Sequence, residues 1–469
     1  MSIAELLTKF DDALYTWCLI YMLAGAGIYF TIRTRFVQLR LLKDCFTCMF
    51  EKKSSENGIS SFQALMIATA SRVGTGNMAG VATAIVVGGP GAAFWMWLMA
   101  VLGAASAFVE STLAQIYKTR EKDGSFKGGP AYYIERALHA RWLGIIFAIS
   151  LIATFAFGFN GLQAYNIVST MEYYIPNLSS SPVPLVIGCI LLVASLYLFF
   201  AGSEKIGWLS SVLVPVMSVM YIVMGLLIIL LNITEVPAVL GSVMRSAFDF
   251  KAIFGGFSGS CMMYGIKRGL YSNEAGCGSA PNAAAAATVS HPVKQGLVQM
   301  LSVFIDTLLL CTATALMCLC SGVEPNADLA GAPYVQEALR AALGSIGPIF
   351  ITVSMILFAF TTLIGNFYYM DNLLIFMHKG IPSEKFMFGF RIVGTIVVFI
   401  GAIASMGLLW DLADVLMGVM AIINLPVIVI LHKVALGALK DYEAQKAEGK
   451  NPVFKAETVG LKGKVDFWN

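Results

Sequence analysis

The sequence predicts an all-α integral membrane protein of about eleven spanning helices, and three observations carry that prediction. Of 469 residues, 58% are hydrophobic and only 13% charged, with a mean hydropathy of +0.77, which leaves no polar half from which a second, soluble domain could be built. Apolar runs of about 20 residues, the length that crosses a bilayer, recur along almost the whole chain. The positive charges gather in alternate loops, the bias that marks cytoplasmic segments.

The first run, Tyr15–Ile32, is followed by Arg33, Arg35, Arg40, Lys43, Lys52 and Lys53. These charges come after the run rather than before it, so a spanning helix fits better than a cleaved signal peptide, and the N-terminus faces outward. Ten further runs begin near Ser61, Ala92, Leu143, Val183, Trp208, Ala252, Gln295, Ser345, Phe390 and Trp410. If the sides alternate, the cytoplasmic loops carry 26 Lys and Arg and the outer loops 4, with Arg72 left inside a span and the C-terminus in the cytoplasm. The expected setting is a cell membrane crossed many times. Between Lys118 and Arg141, "GGPAYYIERALHARWLG" mixes aromatic anchors with basic residues at helical spacing and reads as an interfacial amphipathic helix. From Lys440 to Asn469 the chain is rich in Lys, Glu, Gly and Ala and reads as a partly disordered cytoplasmic tail. The nine cysteines lie mostly in apolar runs, where they act as small hydrophobes; Cys45 and Cys48 lack the second pair that a zinc site needs.

Apart from residues 1–60, which hold the first helix and its basic loop, the chain divides into two halves of five spans, 61–231 and 252–433, ahead of the tail at 440–469. Five is odd, so the second half begins on the opposite side of the membrane from the first, as in an inverted-topology repeat. The first helix of each half is rich in glycine near its middle: "SRVGTGNMAG" (Ser71–Gly80) and "FGGFSGSCMMYG" (Phe254–Gly265). Glycine weakens a helix by about 1 kcal/mol per residue relative to alanine, and an unwound stretch leaves backbone groups unpaired in a medium without water. In discontinuous transporter helices, cargo satisfies them: freed N–H groups take a carboxylate and freed carbonyls a cation. Close helix packing is the alternative for "FSGS". It does not account for the threonine, asparagine and arginine around "GTGN", since polar groups at that depth are costly.

The segments "FQALMIATASRVGTGNMAGVATAI", "GGPGAAFWMW" (Gly88–Trp97) and "LYSNEAGCGSAPNAAAAA" (Leu270–Ala287) resemble the signatures of the alanine or glycine:cation symporters, also called the sodium:alanine symporter family, and the resemblance runs from Phe62 to His432. It implies the five-plus-five inverted-repeat (LeuT-like) fold of the neurotransmitter:sodium symporters, within the amino acid-polyamine-organocation superfamily. It also implies cation-coupled symport of a small neutral amino acid, alanine or glycine in type, with serine or glutamine as alternatives. By position, the N–H groups of Thr75 and Gly76 would hold the substrate carboxylate, while carbonyls from Ala70 to Val73, Arg72 included, and the Asn77 amide would serve cation and ammonium. Gln163 would be a polar contact to substrate, or else a bond to a neighbouring helix. Phe257, Cys261, Met262 and Met263 would wall the substrate side chain. Thr361 and Thr362 would complete a sodium site, or else bond back to their own helix. The implied partners are the amino acid, sodium or a proton as coupling ion, and lipid; no cofactor and no nucleic acid are expected, and one chain is expected to be the working unit.

This chain departs from the family pattern at two instructive places. Arg72 stands where many members are uncharged; it could replace a cation, attract an anion, or pair with Glu110 or Asp306. Asn366 stands where many have a tryptophan, which would enlarge the site or add a hydrogen bond. Asp306, mid-span in "VFIDTLLLCT", is either a functional carboxylate or the cap of a neighbouring helix. Two rivals from other classes are weaker. "GFSG" around Ser258 resembles an intramembrane protease turn, but such a serine needs a base within reach, and His139, His291, His378 and His432 all fall in or beside cytoplasmic loops. A channel would ordinarily need several identical subunits around a pore.

Overall fold

The computed structural model describes residues 3–53, 58–121, 124–200, 203–256 and 259–468. The first run is one rod, α1 (Ile3–Leu14) passing through a π turn at Tyr15–Leu19 into α2 (Ile20–Arg33). Left-handed backbone at Arg35 and Phe36 (φ 55° and 57°) reverses the chain into the short α3 (Val37–Arg40) and α4 (Leu42–Met49). The second run is broken into α5 (Ser61–Arg72) and α6 (Ala79–Gly88). A capping box starts α5: Ser60 Oγ accepts the Gln63 N–H at 3.1 Å, and Gln63 Oε1 accepts the Ser60 N–H at 3.0 Å.

Unbroken α7 (Ala92–Ile116) leads to a two-stranded hairpin, β1 (Thr119–Arg120) and β2 (Phe126–Lys127), and to α8 (Pro130–Leu138), the amphipathic helix read from the sequence, with proline at its tolerant first turn. A second rod follows, α9 (Arg141–Ala153) joined by a π turn at Thr154–Phe159 to α10 (Asn160–Ser169), and then α11 (Val183–Phe199) and α12 (Ser203–Leu231).

The other half opens with the short α13 (Val236–Ala247) and α14 (Phe250–Gly255), followed by a second broken helix, α15 (Cys261–Asn273) and α16 (Pro281–Ala286). Next comes α17 (Pro292–Val303), which runs through a π turn at Phe304–Cys311 into α18 (Thr312–Leu319); α19 (Ala332–Leu343), α20 (Ile346–His378), α21 (Glu384–Ile403) and α22 (Met406–Ala447) complete the bundle. Among the described residues, eight helices are long and apolar enough to cross a membrane. With α11 and the two broken helices, they follow the eleven expected runs. Burial sorts them into layers: the α7 and α17 spans are two-thirds buried, α12 only one-third. The outer face of α12 shows Val212, Val216, Val219 and Val223 at helical spacing, as a lipid-facing stripe requires.

Three expectations change. The interruption that meets the first break is at Glu274–Ala280, where left-handed backbone at Glu274, Gly276 and Gly278 (φ 49°, 84° and 85°) ends α15; within Phe254–Gly265, α14 ends at Gly255 and α15 begins at Cys261. Glycine density marked the wrong place: a Cβ on Gly265 would lie 2.5 Å from the Ala92 carbonyl oxygen, so that glycine admits α7, whereas Gly255, Gly256 and Gly259 have no neighbour within 4 Å of an added Cβ. Lys267 and Arg268, counted above with the cytoplasmic loops, are buried inside the bundle on α15. Finally, the tail is ordered. Helix α22 runs past the expected boundary to Ala447, and Phe454, Ala456, Val465 and Trp468 beyond it are buried.

Gly278 offers a test of the second break. A Cβ there would lie 2.6 Å from Pro130 Cγ and 2.9 Å from Phe147 Cζ, whereas Gly322, also at positive φ, meets nothing within 4 Å. Left-handed strain of about 1–2 kcal/mol applies to an alanine at either position, and crowding adds about 1–3 kcal/mol at Gly278 alone. Gly278→Ala is therefore expected to melt in detergent well below Gly322→Ala; equal melting temperatures would show that the loop around Gly278 yields freely.

Candidate functional site

The first break is built by substitution of partners. In a continuous helix the N–H groups of Gly74 and Thr75 would bond the carbonyls of Ala70 and Ser71. Here Gly74 N–H donates to Asn77 Oδ1 at 3.0 Å and Thr75 N–H to Gln163 Oε1 at 3.1 Å. The last bond of α5 is Val73 N–H to Thr69 O; Gly74 is extended, Thr75–Asn77 form one 3-10 turn, and α6 begins at Ala79. The two glycines are required by neighbours: a Cβ on Gly74 would lie 2.6 Å from Thr362 Oγ1, and one on Gly76 2.3 Å from the Tyr271 ring. Gln163 Oε1 also accepts the Thr75 hydroxyl at 2.9 Å, Asn166 Nδ2 donates to that hydroxyl at 2.7 Å, and Gln163 Nε2 donates to the Tyr271 hydroxyl at 3.2 Å.

Beside this break lies a buried carboxylate centre. Asp306 sits in the π turn between α17 and α18, a geometry frequent at functional sites, and its side chain is fully buried. Asn77 Nδ2 donates to Oδ1 at 2.7 Å; the hydroxyls of Ser272 and Thr307 donate to Oδ2, the latter at 3.1 Å. Thr314 holds Asn77 from behind by donating to its carbonyl at 2.7 Å. Asp306 is thus tied to the first break through Asn77 and, through Ser272, to the last turn of α15 before the second.

The second break is held by a carboxylate from α7. Glu110 Oε1 accepts the Gly276 N–H at 3.3 Å, and Oε2 accepts Asn424 Nδ2 at 2.9 Å; the same Asn424 nitrogen donates to the Gly276 carbonyl at 2.9 Å. Ser279 donates its hydroxyl to Glu274 within the loop. Over the site, the Tyr271 ring packs against Phe159 at 4.7 Å and Trp410 at 4.9 Å. The Arg268 guanidinium lies 3.9 Å over the Trp410 ring and pairs with Asp414 of α22. The preceding residue, Lys267, pairs with Asp11 of α1 at 2.6 Å.

The sequence model of the sodium:alanine symporter family matches residues 1–456. The chain belongs to that family. It is 44% identical over 453 residues to the amino-acid carrier protein AlsT of Bacillus subtilis, covering 96% of this chain and 94% of that one. It is 38% identical over 461 residues to the sodium/alanine symporter AgcS of Methanococcus maripaludis, covering 96% and 100%. Among solved structures, MhsT in complex with L-phenylalanine superposes with a TM-score of 0.53 over 88% of this chain and 94% of that one, at 13% identity, a likeness of fold alone. The family fold expected from the resemblance is therefore the one observed: an all-α membrane transporter built around broken helices.

Within this symporter fold, Thr75, Gly76, Asn77, Gln163 and Thr362 come together at the first break, with the carbonyl-bearing residues Ala70, Arg72 and Val73 leading into it; Thr362 Oγ1 donates to the Val73 carbonyl at 3.4 Å. The remaining expectations fall elsewhere. The Thr361 hydroxyl bonds back to Leu357 and Phe358 and lies against Met217 of α12, turned from the break by one helical step. Cys261 and Met262 pack with Ala84, Ala92 and Ile253, and Met263 lies in the first turn of α15, its N–H capped by Ser260. These three lie near the start of α15, whereas Tyr271 and Ser272 at its end meet the break. Phe257 and Ser258 lie outside the described residues.

Asn366 is engaged on both sides, accepting from Ser71 at 2.7 Å and donating to Asn160 at 2.8 Å, so it ties α20 to α5 and α10. Arg72 forms no ion pair among the described residues. It donates to Ser302 and to the Gln299 carbonyl, and the pairing with Glu110 or Asp306 is not made. Sequence reasoning missed Tyr271, Ser272, Thr307, Trp410 and Asn424. A signal existed for the first two, since they sit in "LYSNEAGCGSA", but glycine counting pointed upstream.

Glu110→Ala would leave the Gly276 N–H and the Asn424 amide without their acceptor, at about 1–3 kcal/mol for each orphaned group. Glu110→Gln keeps one acceptor oxygen. Thermal unfolding in detergent is expected to rank the proteins wild type, Glu110→Gln, Glu110→Ala in falling stability; an alanine variant as stable as wild type would mean that the second break does not depend on this carboxylate.

Proposed function

We propose that this symporter carries a small neutral amino acid, alanine or glycine in type, together with sodium, with a proton as the alternative coupling ion, by alternating access. The observation that carries the reading is Asp306, a buried carboxylate bonded at once to Asn77 of the first break and to Ser272 beside the second. A positive charge bound there acts on both broken helices together. The family supports it, and so does a relative, the sodium/alanine symporter AgcS.

In this reading the cation takes the Asp306 carboxylate with the hydroxyls of Ser272 and Thr307, and a second position is offered by Thr362 with carbonyls from Ala70 to Val73. The substrate carboxylate displaces Gln163 Oε1 from the Thr75 N–H and hydroxyl, with the Gly76 N–H beside them, so the glutamine is the acceptor that keeps these donors satisfied between passengers. The ammonium group faces Asn77. Coupling follows because both passengers use Asn77: the cation offsets a charge that is costly to keep in an apolar interior, and its arrival fixes the side chain that the substrate needs. Tyr271 over Gly76 and Trp410 within 3.2 Å of a Cβ on Gly80 leave little room, which favours alanine or glycine over serine or glutamine.

The charge bias places the N-terminus outside and the C-terminus in the cytoplasm. The cover formed by Tyr271, Trp410 and the Arg268–Asp414 pair then faces outward, and the two halves rock past one another within a single chain. The family is one of carriers, not enzymes.

Uptake into proteoliposomes with sodium and pH gradients imposed separately is expected to follow the sodium gradient and to saturate; non-saturating flux would favour a channel, and dependence on pH alone would make the proton the partner. Asn77→Ala should abolish saturable uptake while the protein still folds, and unchanged uptake removes Asn77 from the site. Asp306→Asn loses a charged contact of about 1.5–3 kcal/mol and is expected to raise the half-saturating sodium concentration about tenfold or more. The same variant should lose the sodium-dependent rise in melting temperature of the wild type. A sodium dependence identical to wild type would place the cation elsewhere.

A further inference from the structure

Beyond Ala447 the chain turns back across the end of the bundle at which α5 begins. The Gln445 side chain fixes the turn, accepting the Val453 N–H and donating to its carbonyl, both at 2.9 Å. Phe454 N–H then donates to the Ser290 carbonyl at 2.9 Å, and the Ser290 hydroxyl to the Pro452 carbonyl at 2.8 Å, which anchors the tail to the link between α16 and α17. Its far end is anchored to the first half. Trp468 is buried and donates its indole N–H to the Gln115 carbonyl at 2.8 Å; Asp466 pairs with Arg136 of α8 at 2.7 Å. Phe467 and Trp468, with Phe126 of β2, enclose Lys118, whose Nζ lies 4.4, 5.1 and 4.5 Å from the three ring centroids. That nitrogen is further held by Gln115 Oε1 and the Ala287 carbonyl, both at 2.9 Å. Contacts of a buried ammonium with ring faces are among the stronger cation–π interactions.

What lies beneath this strap is the seam between the two broken helices. Ile59, which leads into α5, bonds residues at the end of α16: its N–H reaches the Ala286 carbonyl at 3.4 Å, and its carbonyl takes the Thr288 N–H at 3.0 Å. The Phe126 ring is wedged between seam and strap, 3.2 Å from a Cβ on Gly58 and 4.8 Å from the Phe467 ring centre to centre. To open this end, α5 must part from α16, and the tail is bonded to elements of both halves across that line. We propose that residues 450–468 are an intramolecular latch that holds this gate shut, and that docking of Phe467 and Trp468 around Lys118 sets how readily it opens. Its assignment as the cytoplasmic gate rests on the transport reading; the latch itself does not.

Hydrogen exchange of the full-length protein in nanodiscs tests this without requiring transport. In Phe467→Ala/Trp468→Ala, exchange within 453–468 is expected to rise, and with it, severalfold, exchange at 59–72 and 284–290, while 261–273 on the far side stays as in wild type. Asp466→Arg, which alters only a half-exposed pair with Arg136, is expected to move the same segments less, and Arg136→Asp/Asp466→Arg to restore them. This second set keeps the test valid if the double alanine variant proves globally loosened. A tail that exchanges freely above a seam as protected as in wild type overturns the latch, as does a tail that stays protected in every variant. Alanine uptake measured in parallel separates the two claims: a wild type without uptake but with the expected exchange pattern sinks the transport reading and leaves the latch standing.

Discussion

A peptide group with no partner in a medium without water costs more than almost any single contact can return, and this protein places two interruptions in its buried helices. Everything nearby answers that cost. At the first, Asn77 and Gln163 accept the N–H groups that helix carbonyls would have taken. At the second, Glu110 and Asn424 take the N–H and the carbonyl of Gly276. The partners come from α7, α10 and α22 and from within the breaks, so each interruption is stable only in the assembled bundle. In the proposed mechanism, a side chain that leaves its backbone partner for a passenger turns this structural requirement into a binding site.

Small residues make such an assembly possible. Gly74 and Gly76 admit Thr362 and Tyr271, Gly265 admits the start of α7, and Gly365 brings α20 within 2.6 Å of the Ser71 nitrogen, measured from an added Cβ. Backbones in van der Waals contact are how transmembrane helices adhere when lipid offers no hydrophobic drive. The consequence is rigidity in the central layer, where α5, α7, α15 and α17 meet, and a looser outer layer, where α12 shows mostly valine and leucine to the lipid. The two ends of the central layer are closed by different chemistry. A buried ion pair and rings packed edge to face, Arg268–Asp414 with Trp410 and Tyr271, cover one end; a backbone bridge at Ile59 under an aromatic strap covers the other.

Much of this was legible in the residues, for reasons particular to each segment. The apolar runs and their charged borders described the spans because lipid admits little else. "GTGN" announced the first break because no packing need explains an asparagine between glycines at that depth. The second break was misplaced because glycine serves two purposes that look alike in a sequence: close helix approach, as at Gly265, and left-handed turning, as at Gly276 and Gly278. Thr361 and Thr362 were equivalent until the rotation of α20 turned one toward Met217 and the other toward Val73. Lys267 and Arg268 looked like loop charges because their partners, Asp11 and Asp414, are 256 and 146 positions away.

The sequence by itself determined the solvent of this protein, that its chain crosses the membrane many times, the family, and the existence of one helix that could not be continuous. Those properties depend on local composition and on short motifs, which a chain carries wherever it goes. The tertiary structure alone decided that Asp306 joins the two breaks, that Gln163 accepts the Thr75 N–H freed at the first break, and that a tail of ordinary polar composition folds under the bundle around Lys118. Each of these brings together residues far apart in sequence, and the free energy of a buried polar group is set by the partners that packing delivers to it, which no stretch of one chain can specify in advance.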